Sequence, residues 1–431
     1  MAQIVKNKTS DNLVKSGIFP QKSIMETAGV HLFVEKKEGI FESLSTSLNI
    51  NCFFYVCSAV LAAILFLPQV RGFFSESGLR WAHILGLSFT LSFCTNPVFA
   101  WIAKRLNILD VPDARKLHKK ATPLLGGAAV FMGFSVAILT NGIFSTQVLM
   151  MLIASLILFG IGILDDFKEV AAGIKLITQL VCTLLVMSCG IVLRVLPVDL
   201  GIIATIGNSL LTVFWILGIT NAMNFFDGMD GLAAGLGAMI SFFLGVVAFQ
   251  TAQPFLGWIA VAMLGGCLGF LPFNFRPRKN AAIFLGDAGS IVIGFILACV
   301  AVYGDWAEGN PVVALVSPVL IFWILIFDMV HITIDRILTG KVKNFRQWIE
   351  YVGKDHLHHR LENILGGKKQ SVLFIYLLGL CLGTSAVVLR NARPTDAILL
   401  IIQAFIMVGL VTVLERRGRL ANGSLKSKPF H

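Results

Sequence analysis

Five carboxylates and one amide stand in this 431-residue chain where charge is otherwise scarce. Asp165 and Asp166 close the apolar stretch FGIGILDDFKEV at 159–170. Asn224, Asp227 and Asp230 follow one another at i, i+3 and i+6 in TNAMNFFDGMDGLAAG, a spacing that puts them near one face of a helix. Gly228 and Gly231 permit a tight turn in its place. Asp287 sits between glycines in FLGDAGS, just ahead of another apolar run, so the flanking backbone N–H groups can meet an anion at a helix N-terminus. Oxygen-only groupings of this kind suit Mg²⁺, with Mn²⁺ as a substitute, because such ions take one or two carboxylates and leave their other positions to water and substrate phosphate. Cations that can engage phosphate occur in two further segments: Arg115, Lys116, His118, Lys119 and Lys120 in one, and His356, His358, His359 and Arg360 in the other. The eight cysteines form no CxxC, and only Asp355 stands close to the histidines, which argues against zinc.

The elements that must position these residues are membrane helices. The chain is 56% hydrophobic and 14% charged, far from the roughly 25% charged residues of a soluble domain. Runs near the ~20 residues needed to cross a bilayer recur at 51–69, 81–103, 124–144, 147–164, 174–194, 203–222, 231–249, 255–273, 283–303, 311–334, 371–389 and 396–414. The expected fold is all-α, a polytopic integral membrane bundle of about 11–12 transmembrane helices. Residues 1–48 read as a cytoplasmic extension, 49–415 as the transmembrane domain and 416–431 as a basic cytoplasmic tail. The net charge of +11 is then a topology signal, with no nucleic-acid partner implied.

Numbering the connections alternately separates the charges. One set holds Lys104, Arg105, Lys168, Lys175, Arg276, Arg278, Arg336, Lys341, Arg360 and Lys368 among others, while the opposite set has only Arg71, Arg80, Arg194, Arg390 and Arg393. The positive-inside rule makes the rich set cytoplasmic. That same set carries five unusual polar segments, LDVPDARKLHKKATPLLGG (109–127), GILDDFKEV (162–170), residues 220–235, FNFRPRKNAAIFLGDAGS (273–290) and GKDHLHHRL (353–361). One shared site at the cytoplasmic helix ends explains all five. Asp328, the remaining acid in an apolar run, is expected to pair with nearby Arg336. A secondary transporter is the rival reading, but it calls for acids in mid-span and related halves, and residues 51–230 do not echo 231–414.

In their order and positions these segments resemble the polyprenyl-phosphate N-acetylhexosamine-1-phosphate transferase family over about residues 81–415. DVPDARKLHKKATPLLGG is similar to the family's Asp-x-Pro-x-x-Arg-Lys-x-His and Pro-x-x-Gly-Gly signatures, LDDFKE to its paired-aspartate motif, and NFFDGMDGLAAG and FLGDAGS to two more. HLHHRL resembles the branch that moves N-acetylglucosamine phosphate or related sugars.

The resemblance implies transfer of a sugar-1-phosphate from a UDP-N-acetylhexosamine, with GlcNAc foremost, to undecaprenyl or another polyprenyl phosphate, releasing UMP. It implies a Mg²⁺-dependent multi-pass protein of the inner (cell) membrane with its active site facing the cytoplasm, and a homodimer is compatible with it. By the same resemblance Asn224 and Asp287 hold the metal, and Asp165, Asp166, Asp227, Asp230, His356 and His358 are the catalytic set. Arg115, Lys116, His118, Lys175, Asn274, Phe284, His359 and Arg360 bind substrate. Asp230, Asn274 and Phe284 would face the uridine, Lys175 and Asp227 the diphosphate, and the histidines the sugar or phosphates.

Overall fold

The structure is a computed structural model that describes residues 52–110, 121–276, 278–306, 311–344, 347, 351, 353, 355–389 and 393–426. The extension at 1–48 and the segment carrying Arg115, Lys116 and His118 lie outside the described residues, as does the tail beyond residue 426.

Each apolar run folds as helix. The first gives α1 (Cys52–Leu65) and α2 (Pro68–Glu76), followed by α3 (Arg80–Arg105), α4 (Gly126–Thr140), α5 (Thr146–Phe167), α6 (Ala172–Ser188) and α7 (Ile202–Phe225). Then come α8 (Leu232–Gln250), α9 (Pro254–Asn274), α10 (Gly286–Tyr303), α11 (Pro311–Ile321), α12 (Trp323–Leu338), α13 (Leu357–Leu365), α14 (Lys368–Val388) and α15 (Pro394–Lys426). Among the described residues the only strands are β1 (Leu109–Asp110) and β2 (Thr122–Pro123), an antiparallel ladder with Leu109 opposite Pro123.

The expected polytopic helical membrane bundle is what forms. Among the described residues eight helices are long and apolar enough to cross a membrane, or up to ten if each of two bent pairs is one span, and α4 and α6 are shorter apolar helices. The bends are 75° between α1 and α2 and 79° between α11 and α12. Pro68 explains the first, because it opens α2 and forces Leu67 into extended backbone, which α1 cannot accommodate. α4 and α6 have only 15 and 17 residues. Their runs read longer in sequence because the turns after them are themselves apolar, with Ile143 and Ile191 buried just past each helix.

Several helices show an apolar face outward. On α7, Ile203, Ile206, Leu210 and Phe214 are exposed on one stripe, as are Ile398, Ile402, Phe405 and Val413 on α15. An exposed apolar stripe of this length is what a lipid-facing surface requires. The centre of the bundle is α10, buried along 89% of its apolar window, with α4, α5, α7, α8 and α9 packed around it.

Small residues let the helices approach α10 closely. A Cβ added at Gly127 would lie 2.2 Å from the Gly289 Cα, and one at Gly162 would lie 2.3 Å from the Ala288 Cα. These two approaches seat α4 and α5 against the first turn of α10. Gly160, two residues from Gly162 on the open side of α5, meets nothing within 4 Å. Gly162→Val is therefore expected to lower the melting temperature in detergent, with an overpacking cost of roughly 1–3 kcal/mol, whereas Gly160→Val should melt close to the wild type. Equal melting temperatures for the two variants would show that the α5–α10 approach is not tight.

Candidate active site

The first turn of α10 is where four of the five polar segments meet. Gly286 has φ +77°, and a Cβ there would collide with the Leu124 carbonyl at 2.4 Å and the Asp166 carboxylate at 2.5 Å, so only glycine fits. The strand end and helix start at 123–127 are zipped onto this turn by backbone bonds. Phe284 donates to the Pro123 carbonyl at 2.8 Å, Gly126 donates to Phe284 at 2.9 Å and Gly127 donates to Leu285 at 2.8 Å.

Asp166 caps α10. Its Oδ1 accepts the Asp287 N–H at 2.9 Å and its Oδ2 faces the Ala288 N–H at 3.4 Å. The sequence reading has these N–H groups able to meet an anion; in the structure the acceptor at the helix N-terminus is the protein's own Asp166 side chain. Asp165, its neighbour, points elsewhere. It accepts from the Val170 N–H at 2.8 Å and forms a close ion pair with Lys175. The Lys175 ammonium also lies 3.3 Å from Asp287 Oδ2, so it links two carboxylates that stand within hydrogen-bonding reach of each other.

Asn224 lies beside Asp287 and donates from Nδ2 to Ser290 Oγ at 2.9 Å. Among the described residues no three His, Cys, Asp or Glu side chains converge on one metal position. The donor chemistry still suits a hard cation, since Asp165, Asp287 and the Asn224 amide are oxygen donors and two facing carboxylates call for positive charge between them. Lys175 meets that need in this structure.

The turn 226–231 forms the next wall. Burial, and then the charges of Asp287, Asp166 and Asp230, push the Asp227 carboxyl well above the usual carboxylate range. Its surroundings therefore favour the protonated form. Asp230 accepts the Ala281 N–H at 2.9 Å. Asn274 is a buried staple: its Oδ1 accepts the Gly231 N–H at 2.6 Å and its Nδ2 donates to the Ile283 carbonyl at 3.0 Å. Tyr376 on α14 donates to the Gly231 carbonyl. Phe284 is half-buried at the same seam. Asp230 and Asn274 thus hold the loop against the 273–283 segment.

The histidine segment closes the site from above this turn. A Cβ at Gly228 would come 2.8 Å from His358 Nε2, and the His358 ring lies 5.5 Å from Phe226. His358 is buried, and its two ring nitrogens have no hydrogen-bond partner among the described residues. Burial, then the neighbouring His359, His356, Lys368 and Arg360, hold it well below the usual imidazole range, so it is neutral. His359 lies on the exposed side of α13, 3.9 Å from Glu362.

The expected Asp328–Arg336 pair does not form. Arg336 makes a two-pronged bond to Asp355 at 2.8 and 2.7 Å and stacks over Tyr351 at 4.5 Å. Burial works to raise the Asp355 carboxyl, but the Arg336 guanidinium outweighs it and holds the group below its usual range. Asp328 instead binds His356 Nδ1 at 2.8 Å and the Leu357 N–H at 2.7 Å. This partnership was missed from sequence because 28 residues separate the two; the only signal was a lone acid in an apolar run. The structure thus brings together Asp165, Asp166, Lys175, Asn224, Asp227, Asp230, Asn274, Phe284, Asp287, His356, His358 and Arg360.

The chain is similar in sequence to known proteins. A family model described as glycosyl transferase family 4 matches residues 148–305, which hold the paired aspartates, the 224–230 cluster and Asp287. The probable undecaprenyl-phosphate N-acetylglucosaminyl 1-phosphate transferase of Bacillus subtilis is 33% identical over 342 residues, 78% of this chain and 90% of that protein. The decaprenyl-phosphate N-acetylglucosaminephosphotransferase of Mycobacterium tuberculosis is 33% identical over 376 residues, 79% of this chain and 91% of that protein. The phospho-N-acetylmuramoyl-pentapeptide-transferase of Enterococcus faecalis is 31% identical over 258 residues, 53% of this chain and 78% of that protein. The family model and relatives 33% identical over nine tenths of their own length place the chain in glycosyl transferase family 4, the polyprenyl-phosphate N-acetylhexosamine-1-phosphate transferases.

Proposed function

We propose that the chain moves N-acetylglucosamine-1-phosphate from UDP-N-acetylglucosamine to undecaprenyl phosphate or a related polyprenyl phosphate, at the cytoplasmic face of the cell membrane. The observation that carries this reading is the meeting of Asp165, Lys175, Asp227 and Asp287 around the first turn of α10, at the ends of apolar helices where a membrane-borne phosphate and a soluble nucleotide can both arrive. The relatives whose names specify N-acetylglucosamine cover 78% and 79% of the chain, against 53% for the one specifying a muramoyl-pentapeptide, which supports the sugar. The excess of Lys and Arg on the loops of the site supports the orientation.

A phosphate oxygen of the acceptor attacks the β-phosphorus of the UDP-sugar, the bond from that phosphorus to the bridging oxygen breaks, and UMP leaves with the bridging oxygen. Two anions must meet, so donors around the diphosphate carry the catalysis. Lys175 is held ready by Asp165 and supplies a positive charge. Protonated Asp227 offers an O–H where a carboxylate would repel. The acceptor phosphate is mostly dianionic at pH 7, its second pKa being about 6, so Asp165 positions more than it deprotonates. Asp287 and Asn224 would hold Mg²⁺. Bound there, the ion would supply positive charge to offset the charge developing on the phosphate oxygens. Asp166 stays on the α10 N-terminus and keeps Asp287 in place.

Purified protein given UDP-N-acetylglucosamine and undecaprenyl phosphate is expected to release UMP only with Mg²⁺ or Mn²⁺ present; a rate unaffected by EDTA would remove the metal from this account. Asp287→Asn should lower turnover on the order of 10²-fold and recover in part at high Mg²⁺, because ligand charge helps set affinity. Asp166→Ala should instead lose about 0.5–2 kcal/mol of stability through the missing cap, visible as a lower melting temperature. If the two variants behave alike in both assays, the division between cap and ligand is wrong. For orientation, reporter tags at the N-terminus and after Leu420 should both report cytoplasm, and a tag in the 304–311 loop the opposite side.

A further inference from the structure

Asp328 is a wholly buried acid on the membrane helix α12, and every polar contact that the structure gives it leads to the histidine segment. Its Oδ2 accepts from His356 Nδ1 at 2.8 Å, its Oδ1 accepts the Leu357 N–H at 2.7 Å, and the Arg360 guanidinium lies 3.6 Å from that same Oδ1. The His356 ring is fixed on its faces as well, 5.1 Å from Phe225 and nearly parallel to His358 at 5.8 Å.

This geometry dictates a tautomer. A backbone N–H can only donate, so Leu357 makes Oδ1 an acceptor, and Arg360 alongside can only donate as well. The Arg360 guanidinium 3.6 Å from Oδ1 favours the ionised carboxylate, which has no hydrogen to offer His356, so the Nδ1 that it meets carries the proton. With Nδ1 as the donor, the neutral form of the ring has its lone pair on Nε2.

We propose that Asp328 is a positioning residue for sugar-phosphate transfer. It locks His356 as the Nδ1–H tautomer, so that Nε2 accepts a hydrogen bond from a hydroxyl of the UDP-sugar. The inference rests on the function proposed above for its substrate, but the tautomer itself is a property of the protein alone.

Asp328→Asn tests it with almost no change of size. The Leu357 N–H must take the new amide's oxygen, which turns the NH₂ toward His356 and forces its Nδ1 to become the acceptor. Nε2 then carries the proton and can no longer accept. With wild-type stability confirmed by melting, kcat/KM for UDP-N-acetylglucosamine should fall on the order of 10²-fold, as happens when an active-site histidine loses its orienting partner. In a His356→Gln background the same change should cost less than about threefold, since its effect passes through His356. A merely structural Asp328 would instead reduce both backgrounds by the same factor, which would overturn the proposal.

The protein in bilayers, labelled with ¹⁵N-histidine, supplies a reading independent of activity and of the variant's folding. The His356 signals, assigned by their loss in His356→Gln, should show a protonated Nδ1 and an unprotonated Nε2 in the wild type. A protonated Nε2 there defeats the inference even if transfer is robust. Absent transfer with an Nδ1–H signal defeats the hydroxyl-accepting role together with the function it rests on, and leaves the Asp328–His356 lock standing.

Discussion

The bond between the Asp166 carboxylate and the Asp287 N–H at the start of α10 is the constraint on which the site depends. Asp166 lies at the C-terminal end of α5, where the helix dipole disfavours an anion by about 0.3–1 kcal/mol. Across the contact it meets the N-terminus of α10, where the same physics favours it. A side chain poorly placed on its own helix is thus a well-placed acceptor for its neighbour's first turn. Because Gly162 and Gly127 let α5 and α4 close on this turn, and Gly286 has no Cβ to obstruct it, the carboxylate can reach the backbone.

With Asp166 committed to the cap, Asp165 is free to turn toward Lys175, and Asp287 is presented on the first turn of a helix buried on nearly all sides. The adjacent pair therefore performs two tasks with two like charges. The acids of the cluster are held in different ways: Asp166 faces backbone donors, Asp165 an ammonium, and the surroundings of Asp227 favour its protonated form. The neutral His358 above Gly228 adds no charge to this balance.

What could be read from sequence was what is local. Apolar runs gave the helices, and alternating basic loops gathered the polar segments onto one side, because hydropathy and charge act over a few residues at a time. Two spans were read too long at 124–144 and 174–194, since a turn at a membrane edge can be as apolar as a helix. Partnerships between distant residues were illegible. Arg336 is eight positions from Asp328, yet it binds Asp355, and Asp328 reaches across 28 residues to His356. Asn274 looked like a ligand-facing amide, and in the fold both of its ends are taken by backbone groups of Gly231 and Ile283. In each case the pairing is set by which helix ends meet, and that is decided by packing on α10.

The central claim is that this cluster cradles a diphosphate whose β-phosphorus changes partners. UDP-N-acetylglucosamine carrying ³²P only at the β-phosphorus, incubated with the purified protein and undecaprenyl phosphate, tests it directly. The account predicts that the label moves with the sugar into the organic phase while unlabelled UMP stays in water. A sugar-bearing lipid without label, with labelled UDP left in the aqueous phase, would mean that the sugar–phosphate bond breaks instead, and would contradict it.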